Sequence, residues 1–239
     1  MTPEDGVVRI GPISSPTLVN TVVERLRESI LFGRFAPGER IVEAELAREL
    51  GISRGPVREA LALLEKDGIV VNVPRKGKFV LGFDAKLVDE IYSLRNVLEP
   101  YAAQLVIDSM TEEKRAALED ALRQIEAAAD AGDVLLLAQK DIEFHNRLYE
   151  LADHELLRQA WNENIAGKLR MLLNITTRTH EPLIDTGSNH RILVDVIVAK
   201  DRRKARQLIM QHIDDAWRRA HSSLAAAEAK VYPGGPVSS

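Results

Sequence analysis

Apolar residues recur three and four positions apart through most of this chain, which is the period of an amphipathic helix. In the first third, this spacing predicts one helix over residues 17–33, a second over 43–50, and a third that begins after Ser53, a favourable N-terminal cap. Two short apolar stretches, residues 69–73 and 78–80, then predict a pair of strands. Three helices and a β-hairpin in about 65 residues are typical of a winged helix-turn-helix.

Beyond residue 84 the strand signals stop and the helical period continues to the end of the chain. The pattern predicts six further helices, at roughly 86–109, 112–130, 133–151, 155–174, 188–199 and 201–227. Short connections favour a bundle, so the fold class is mainly α. The predicted divisions are a flexible arm (1–16), the winged helix-turn-helix (17–80), a linker (81–84), an all-helical domain (85–227) and a tail (228–239).

The composition is that of a globular protein, with 45% hydrophobic and 28% charged residues among 239. No apolar run is long enough to cross a bilayer and the N-terminus lacks a signal-peptide pattern, so we expect a cytoplasmic protein with no membrane partner. The chain has no cysteine, which excludes disulfides and thiolate metal sites. Any metal must therefore bind to imidazole and carboxylate groups.

Charge is unevenly divided within the net value of −4. Residues 17–80 carry 11 Lys and Arg against 9 Asp and Glu, whereas residues 81–239 carry 20 against 25. A small basic part is thus joined to an acidic one, and only the basic part suits a phosphate-bearing partner.

The third helix carries side chains suited to reading DNA. Arg54 and Arg58 lie four apart on one face, opposite the apolar stripe that Val57 begins. Arginine presents a fork that matches guanine O6 and N7. The Ser53 hydroxyl and the backbone amides from Ser53 to Gly55 can donate to a phosphate at the helix N-terminus.

The hairpin adds two cations at its tip, Arg75 and Lys76, which suit phosphates or the minor groove. The alternative is that the helix arginines only form ion pairs with Glu59 and Glu65 on a solvated face. Helix cap, apolar stripe, turn and wing all agree with one motif, which favours DNA binding.

A second group of residues in the helical part suits a divalent cation. Asp141 and His145 lie four apart on one helix, and His190 and His212 fall on two later helices. Helices of a bundle can bring such ligands together, and three imidazoles with one carboxylate suit zinc, with nickel or manganese as alternatives. An isolated histidine on a helix is more often a core or surface residue than a ligand, and His154, His180 and His221 are interpreted in that way.

Residues 17–80 resemble the DNA-binding domain of the GntR superfamily, most closely over Ser-Arg-Gly-Pro-Val-Arg-Glu-Ala-Leu at residues 53–61. The resemblance implies a homodimer that binds a short inverted repeat in double-stranded DNA and represses transcription. It implies that Arg54 and Arg58 contact bases. It also implies that Gly77 allows the wing to approach DNA.

Residues 85–225 resemble the FCD domain of the same superfamily, in the order found in its FadR subfamily. Metal-binding members carry an Asp and a His four apart and two later His, which here are Asp141, His145, His190 and His212. The resemblance further implies a small organic acid as effector, held by the metal and by an arginine of the first helix of this domain. Arg95 is the matching residue, and Asn164 and Arg170 are further candidates for effector contacts. The alternative for Arg95 is an ion pair with Glu99, four residues later on the same helix.

Two alternatives stay open at this point. One is a metal-dependent hydrolase fused to a DNA-binding module, which would need a spare general base and an open cleft. Glu143 points away from the face of His145, and no nucleophile triad or phosphate loop is present in the sequence. The other is a metal-free regulator that senses an acyl chain, which the complete set of four ligands disfavours. We therefore predict a regulator and not an enzyme.

Overall fold

The computed structural model describes residues 18–31, 33–176 and 186–231. Three helices and three strands make up the N-terminal part, residues 18–80. In chain order they are α1 (Leu18–Leu31), β1 (Arg40–Ile41), α2 (Glu43–Leu50), α3 (Arg54–Lys66), β2 (Val70–Val73) and β3 (Gly77–Val80). The winged helix-turn-helix prediction is confirmed in its element types and order. The predicted arm, residues 1–16, lies outside the described residues.

The sheet has one strand more than the predicted hairpin. Its order is β1-β3-β2, with both pairings antiparallel, and the short β1 pairs Arg40 with Phe79 and Ile41 with Lys78. Two residues are too few for an alternating pattern, so the sequence gives no periodic signal for this strand. Strand β1 covers one edge of the hairpin and attaches the hairpin to the segment that precedes α2.

The helical part, residues 85–231, contains seven α-helices and one π-helical segment among its described residues. They are α4 (Ala85–Asp108), α5 (Glu112–Asp130), α6 (Val134–Leu151), α7 (Glu155–Trp161), the π-helical segment (Asn162–Ala166), α8 (Gly167–Thr176), α9 (Thr186–Val198) and α10 (Arg202–Val231). The single helix predicted over 155–174 was wrong in detail, because the π-helical segment divides it. Helix α10 also continues four residues into the predicted tail, whose remainder lies outside the described residues.

Side chains at the starts of these helices explain where several of them begin. The Asp84 carboxylate accepts from the Leu87 amide at 2.7 Å, and Asp133 accepts from Leu136 at 3.0 Å. His154 performs the same role for α7, where its Nδ1 accepts from the Leu157 amide at 3.2 Å. Each of these caps satisfies an amide that the helix itself leaves unpaired. The capping bond gives His154 a structural role.

Two hydrophobic cores lie in the two parts. The first joins α1, α3 and the sheet through residues such as Leu26, Leu61 and Val80, and the second fills the helical bundle. Phe83 packs against both cores from the connecting segment. Among the helices of the described residues, none combines the length and apolar character needed to span a membrane.

Helix α8 joins the two parts physically. Met171 on α8 is buried in the core of the N-terminal part. At the start of α8, Gly167 lies so close to the turn after α3 that an added methyl carbon would stand 2.4 Å from the Asp67 carbonyl oxygen. The Asp67 carboxylate also accepts from Arg27 Nη2 of α1 at 2.6 Å. The N-terminal part therefore rests on α8 through a close backbone contact.

We expect Gly167→Ala to lower the free energy of unfolding by about 1–3 kcal/mol, because the new methyl group forces the two backbones apart. This loss opposes the gain of up to about 1 kcal/mol that alanine brings to a helix interior. The matched control is Gly55→Ala in α3, where no heavy atom lies within 4 Å of the added carbon. Urea denaturation measures both variants, and an equal gain in the two would contradict the close contact.

Candidate DNA-recognition surface and metal centre

Helix α3 presents its polar face to solvent and its apolar face to the core. Val57 and Leu61 have no exposed surface, whereas Arg54, Gly55 and Arg58 are exposed. The structure therefore brings the predicted DNA-reading residues of this helix onto one accessible surface. Ser53 is exposed and has the extended backbone of an N-cap, but its side chain makes no capping hydrogen bond. The missing capping bond is a correction to the expected cap, and the hydroxyl is not engaged with the helix amides.

The ion pairs around this face differ from the alternative considered from the sequence. Arg58 Nε lies 3.3 Å from a Glu43 carboxylate oxygen on α2, and Glu65 pairs with Lys78 of β3. The Arg58 side chain remains 68% exposed in its contact. An exposed pair of this kind contributes about 0.2–1 kcal/mol, so a phosphate or base could displace Glu43 at little cost.

The tip of the hairpin is a tight turn that exposes its cations. The Lys76 amide donates to the Val73 carbonyl at 3.0 Å, and Pro74 and Arg75 occupy the central positions. Arg75 has φ of 65° and Gly77 has φ of 102°, both in the left-handed region that favours glycine. Arginine is strained in this conformation, and both Arg75 and Lys76 are exposed.

The structure brings the four predicted metal ligands together. Asp141 and His145 extend from α6, His190 from α9 and His212 from α10, and their ligand atoms all lie within 4.8 Å of one another. His145 and His190 are buried, and Asp141 and His212 are half-buried. The long separations between these helices in the sequence are closed by the bundle.

The contact between His190 and Asp141 tests whether this group suits a cation. His190 Nδ1 lies 2.8 Å from the Thr186 carbonyl oxygen, which can only accept, so Nδ1 carries a proton. In the neutral ring, the lone pair on Nε2 then faces Asp141 Oδ1 at 3.2 Å. Nε2 is buried and has no hydrogen-bond partner among the described residues. Two acceptors face each other, and a proton or a metal ion between them removes the repulsion.

Burial and charge shift the pKa values in the cluster. Burial raises the pKa of Asp141, but the close contact with His190 and the charges of the three histidines outweigh burial and hold that pKa well below its usual range. Burial lowers the pKa of His212 well below its usual value, and the charges of His190 and His145 lower it further. An ionised Asp141 and a neutral His212 are the forms that bind a metal ion.

Arg95 lies against this cluster from α4. It is 2% exposed, its Nε donates to Glu99 Oε1 at 2.5 Å, and its Nη2 lies 3.2 Å from His145 Nε2. Burial raises the pKa of Glu99, but attraction to Arg95 and His145 outweighs it and lowers the pKa to about 2. The Arg95–Glu99 pair considered from the sequence is therefore present, and it is buried beside a candidate ligand.

The other two candidates for effector contacts lie elsewhere. Asn164 is exposed on the π-helical segment, where its Nδ2 donates to the Ala160 carbonyl at 3.0 Å. Arg170 lies on α8 at the junction with the N-terminal part, where burial and the charge of Arg27 lower its pKa. These positions correct the expectation that both face the cluster, because the π-helical turn changes which residues of this segment point inward.

Sequence reasoning missed two buried groups beside the cluster. Glu99 was considered only as an ion-pair partner, although it lies one helical turn after Arg95 on a largely apolar helix. Tyr149 lies one turn after His145, its ring stacks on Trp161 with centroids 4.6 Å apart, and its buried hydroxyl has no hydrogen-bond partner in the part of the chain that the structure describes. In both cases the sequence held one signal: the residue lies four positions after a candidate site residue, and so on the same face of the helix.

Both parts of the chain match known protein families. Residues 18–80 match the bacterial regulatory proteins of the gntR family, and residues 90–215, more than half of the chain, match the FCD domain. The chain belongs to the gntR family of bacterial regulatory proteins. It is a DNA-binding regulator of transcription and not an enzyme, which removes the hydrolase alternative.

Individual relatives cover most of the chain. It is 34% identical over 195 residues to the uncharacterized HTH-type transcriptional regulator YdhC of Bacillus subtilis (strain 168), covering 80% of this chain and 85% of that protein. It is 29% identical over 199 residues to the gluconate operon transcriptional repressor of the same organism, covering 81% of each.

Two solved structures share the fold. The likeness to McbR/YncC of E. coli has a TM-score of 0.69 at 24% identity and covers 86% of this chain and 99% of that one. A GntR transcriptional regulator from Rhodococcus sp. RHA1 has a TM-score of 0.72 at 24% identity, with coverage of 85% and 97%. At this identity the likeness establishes the fold alone.

We expect the metal-free protein to lose stability as the pH falls below 6.5, in part because of His212. An unfolded His212 takes up a proton near pH 6.5, whereas the ring in the folded protein, with its lowered pKa, resists protonation. The contribution of His212 is therefore full above pH 6.5 and declines below it, by up to about 1.4 kcal/mol per pH unit. Urea denaturation of chelated His212→Gln between pH 7.5 and 5 should give a shallower decline than the parent. The same slope in both would contradict the assignment.

Proposed function

We propose that this regulator is a ligand-responsive repressor of the FadR subfamily. Residues 17–80 form the reader domain, residues 81–84 the linker, and residues 85–227 the sensor domain. A homodimer binds a short inverted repeat, and a small carboxylate at a divalent metal ion in the sensor controls that binding. The observation that carries the proposal is the convergence of Asp141, His145, His190 and His212 in a chain that also exposes a DNA-reading helix. A DNA partner implies a cytoplasmic protein.

The exposed face of α3 supports the DNA half of this proposal. Arg54 and Arg58 project from the helix that a helix-turn-helix inserts in the major groove, and the bare backbone at Gly55 lets that helix approach closely. Arg75 and Lys76 at the wing suit the sugar-phosphate backbone. Base contacts then supply specificity and the wing supplies affinity.

The chemistry of the cluster supports the metal. Three neutral imidazoles and a carboxylate are ligands that zinc, nickel and manganese accept, and zinc fits the nitrogen-rich set well. The ion would supply a positive centre. With its two charges added to those of Arg95, Glu99 and Asp141, the site carries a net charge of +1. A net positive buried site favours an anionic ligand, which supports a carboxylate effector.

Two donors beside the cluster suit that carboxylate. Arg95 offers N–H groups next to His145, and the Tyr149 hydroxyl has no hydrogen-bond partner among the described residues. A bidentate arginine contact with a carboxylate is among the stronger hydrogen-bond arrangements in proteins. Asn164 and Arg170 have no part in this proposal, because they lie away from the cluster.

A continuous set of contacts connects the cluster to the reader domain. The Trp161 ring lies 6.1 Å from that of His145 and its Nε1 donates to Asn146 at 2.6 Å. Trp161 ends α7 where the π-helical segment begins, and this segment leads into Gly167 beside the Asp67 carbonyl. A ligand that favours one position of α8 would thereby favour one orientation of the reader domain.

We propose that one face of α4 forms the dimer contact. Leu94, Val97 and Tyr101 recur along that face, and Val97 is 68% exposed. The ring of His154 contacts that of Tyr101, and two residues after His154 lies Leu156, which is 71% exposed. An inverted repeat requires two readers related by a two-fold axis, so a second copy of this chain is the occupant we propose. Light scattering should give a dimer mass for the parent and a monomer mass for Val97→Glu. A dimeric variant would contradict this contact.

For DNA, Arg58→Ala should cost about 1–3 kcal/mol of discrimination between operator and a substituted half-site.

Arg75→Gly should weaken binding to all DNA sequences and reduce the dependence of binding affinity on salt concentration by about one charge. Since glycine favours the conformation at position 75, the Arg75→Gly fold should be at least as stable as the parent. Fluorescence anisotropy against salt measures both. Unchanged discrimination in Arg58→Ala removes it from base contact.

For the effector, an organic acid should raise the melting temperature of the zinc-loaded parent but not of the chelated protein or of His190→Ala. A ligand at 100 times its dissociation constant adds about 2.7 kcal/mol of stability. His221→Ala is the matched control, since His221 lies on α10 and contacts Asp89 instead of the cluster. His190→Ala should still bind operator DNA. A normal response to the acid in this variant would refute the proposed site.

A further inference from the structure

Glu99 is a carboxylate that the metal ligand set and the effector contacts leave unexplained. It lies on α4 with 1% of its surface exposed, and its two oxygens face different partners. Oε1 accepts from Arg95 Nε at 2.5 Å, and Oε2 lies 2.8 Å from His145 Nδ1. The same carboxylate therefore touches a buried arginine and a candidate metal ligand.

The protonation of His145 follows from its other neighbour. Arg95 Nη2 lies 3.2 Å from His145 Nε2, and an arginine can only donate a hydrogen bond. The lone pair of the imidazole must then be on Nε2 and the proton on Nδ1, which is the atom that faces Glu99. The contact to Glu99 is short but bent, since Nδ1 makes no straight hydrogen bond, so the carboxylate acts on this N–H chiefly through its charge.

The result is that both buried histidines present the same nitrogen. His190 is held with its Nδ1 proton toward the Thr186 carbonyl at 2.8 Å, and its Nε2 faces Asp141. His145 Nε2 lies 3.8 Å from the same carboxylate. A backbone carbonyl performs this role for one ring, and Glu99 is the group in position to perform it for the other.

We propose that Glu99 is a positioning residue for the metal, which fixes the tautomer and orientation of His145 so that Nε2 is the ligand atom. This inference rests on the proposed function, in which the cluster holds a divalent ion. A carboxylate behind a ligand histidine holds the ring and raises its basicity, and loss of such a partner typically weakens metal binding 10–100-fold. Arg95 holds Glu99 in turn and has to release His145 Nε2 when the ion binds.

The alternative role for Glu99 is purely structural, as the counter-charge of Arg95. A structural pair would affect the stability of the metal-free protein and leave the intrinsic affinity for metal unchanged. Two measurements separate these roles. One is the affinity for Zn²⁺ in competition with a chromogenic chelator, and the other is the ¹⁵N spectrum of His145 in the metal-free protein, which reports the tautomer.

The first variant is Glu99→Gln, which keeps the shape of the side chain and removes its charge. We expect 10–100-fold weaker Zn²⁺ binding. Because Arg95 still faces His145 Nε2 in this variant, loss of the pure Nδ1–H tautomer in the metal-free protein is expected only when Arg95 is replaced as well. Since this variant leaves Arg95 buried without a counter-charge, the double variant Arg95→Gln/Glu99→Gln removes both charges and should show the same loss. The matched control is Glu126→Gln, which breaks the exposed pair with Arg191 and should bind Zn²⁺ like the parent.

The outcomes separate the two proposals. If the parent binds Zn²⁺ and both Glu99 variants bind it equally tightly, the positioning role is overturned while the metal site stands. If only the single variant is weakened and the double variant binds normally, the loss came from an unpaired arginine and the role is again overturned. If the parent itself binds no Zn²⁺, the metal centre of the proposed function fails as well.

Discussion

The meeting of His190 with Asp141 is the contact on which this account of the helical part depends. The Thr186 carbonyl accepts a hydrogen bond from the Nδ1–H group of His190, so that a neutral ring turns a lone pair toward a carboxylate oxygen 3.2 Å away. In a buried setting, two facing acceptors are unfavourable, and a folded chain retains such a contact when a positive charge joins it. The bundle therefore contains a place where a proton on His190 or a metal ion removes this repulsion, and two further imidazoles are within reach of it.

Several features of the fold follow from the need to support that place. Helices α6, α9 and α10 supply the four side chains, and α4 supplies Arg95 and Glu99 behind His145. The aromatic stack of Tyr149 on Trp161 closes another side, and the chain then passes through a π-helical segment to the junction with the N-terminal part. Segments of this kind are frequent at functional sites, and here one separates a candidate sensor site from a reader domain. A small change around His145 thus has a short physical route to α8.

The elements that have strong local signals were predictable. The bounds of α2 and α5 agree with the apolar spacing, and Asp141 and His145 share a face because they are four apart. The convergence of His190 and His212 on that pair was implied by family resemblance, since no local rule connects residues on three separate helices. The strand at Arg40–Ile41 was not predicted, because two residues are too few to show a period and the strand forms through pairing with β3.

The π-helical segment was missed for a related reason. An i to i+5 bond adds one residue to a turn without disturbing the apolar content, so the sequence from 155 to 174 still resembles one helix. With that extra residue in the turn, Asn164 faces solvent, and the expectation that Asn164 faces the cluster was wrong. Glu99 was overlooked because a glutamate four residues after an arginine usually lies on a solvated face, and burial is decided by tertiary packing.

The most direct test of the central claim is anomalous diffraction from crystals of the untagged protein supplied with Zn²⁺, recorded at the zinc absorption edge. We expect one strong anomalous peak within bonding distance of Asp141, His145 Nε2, His190 Nε2 and His212. Zinc that binds elsewhere, or a zinc-supplied cluster that holds only protons or water between His190 and Asp141, would contradict it.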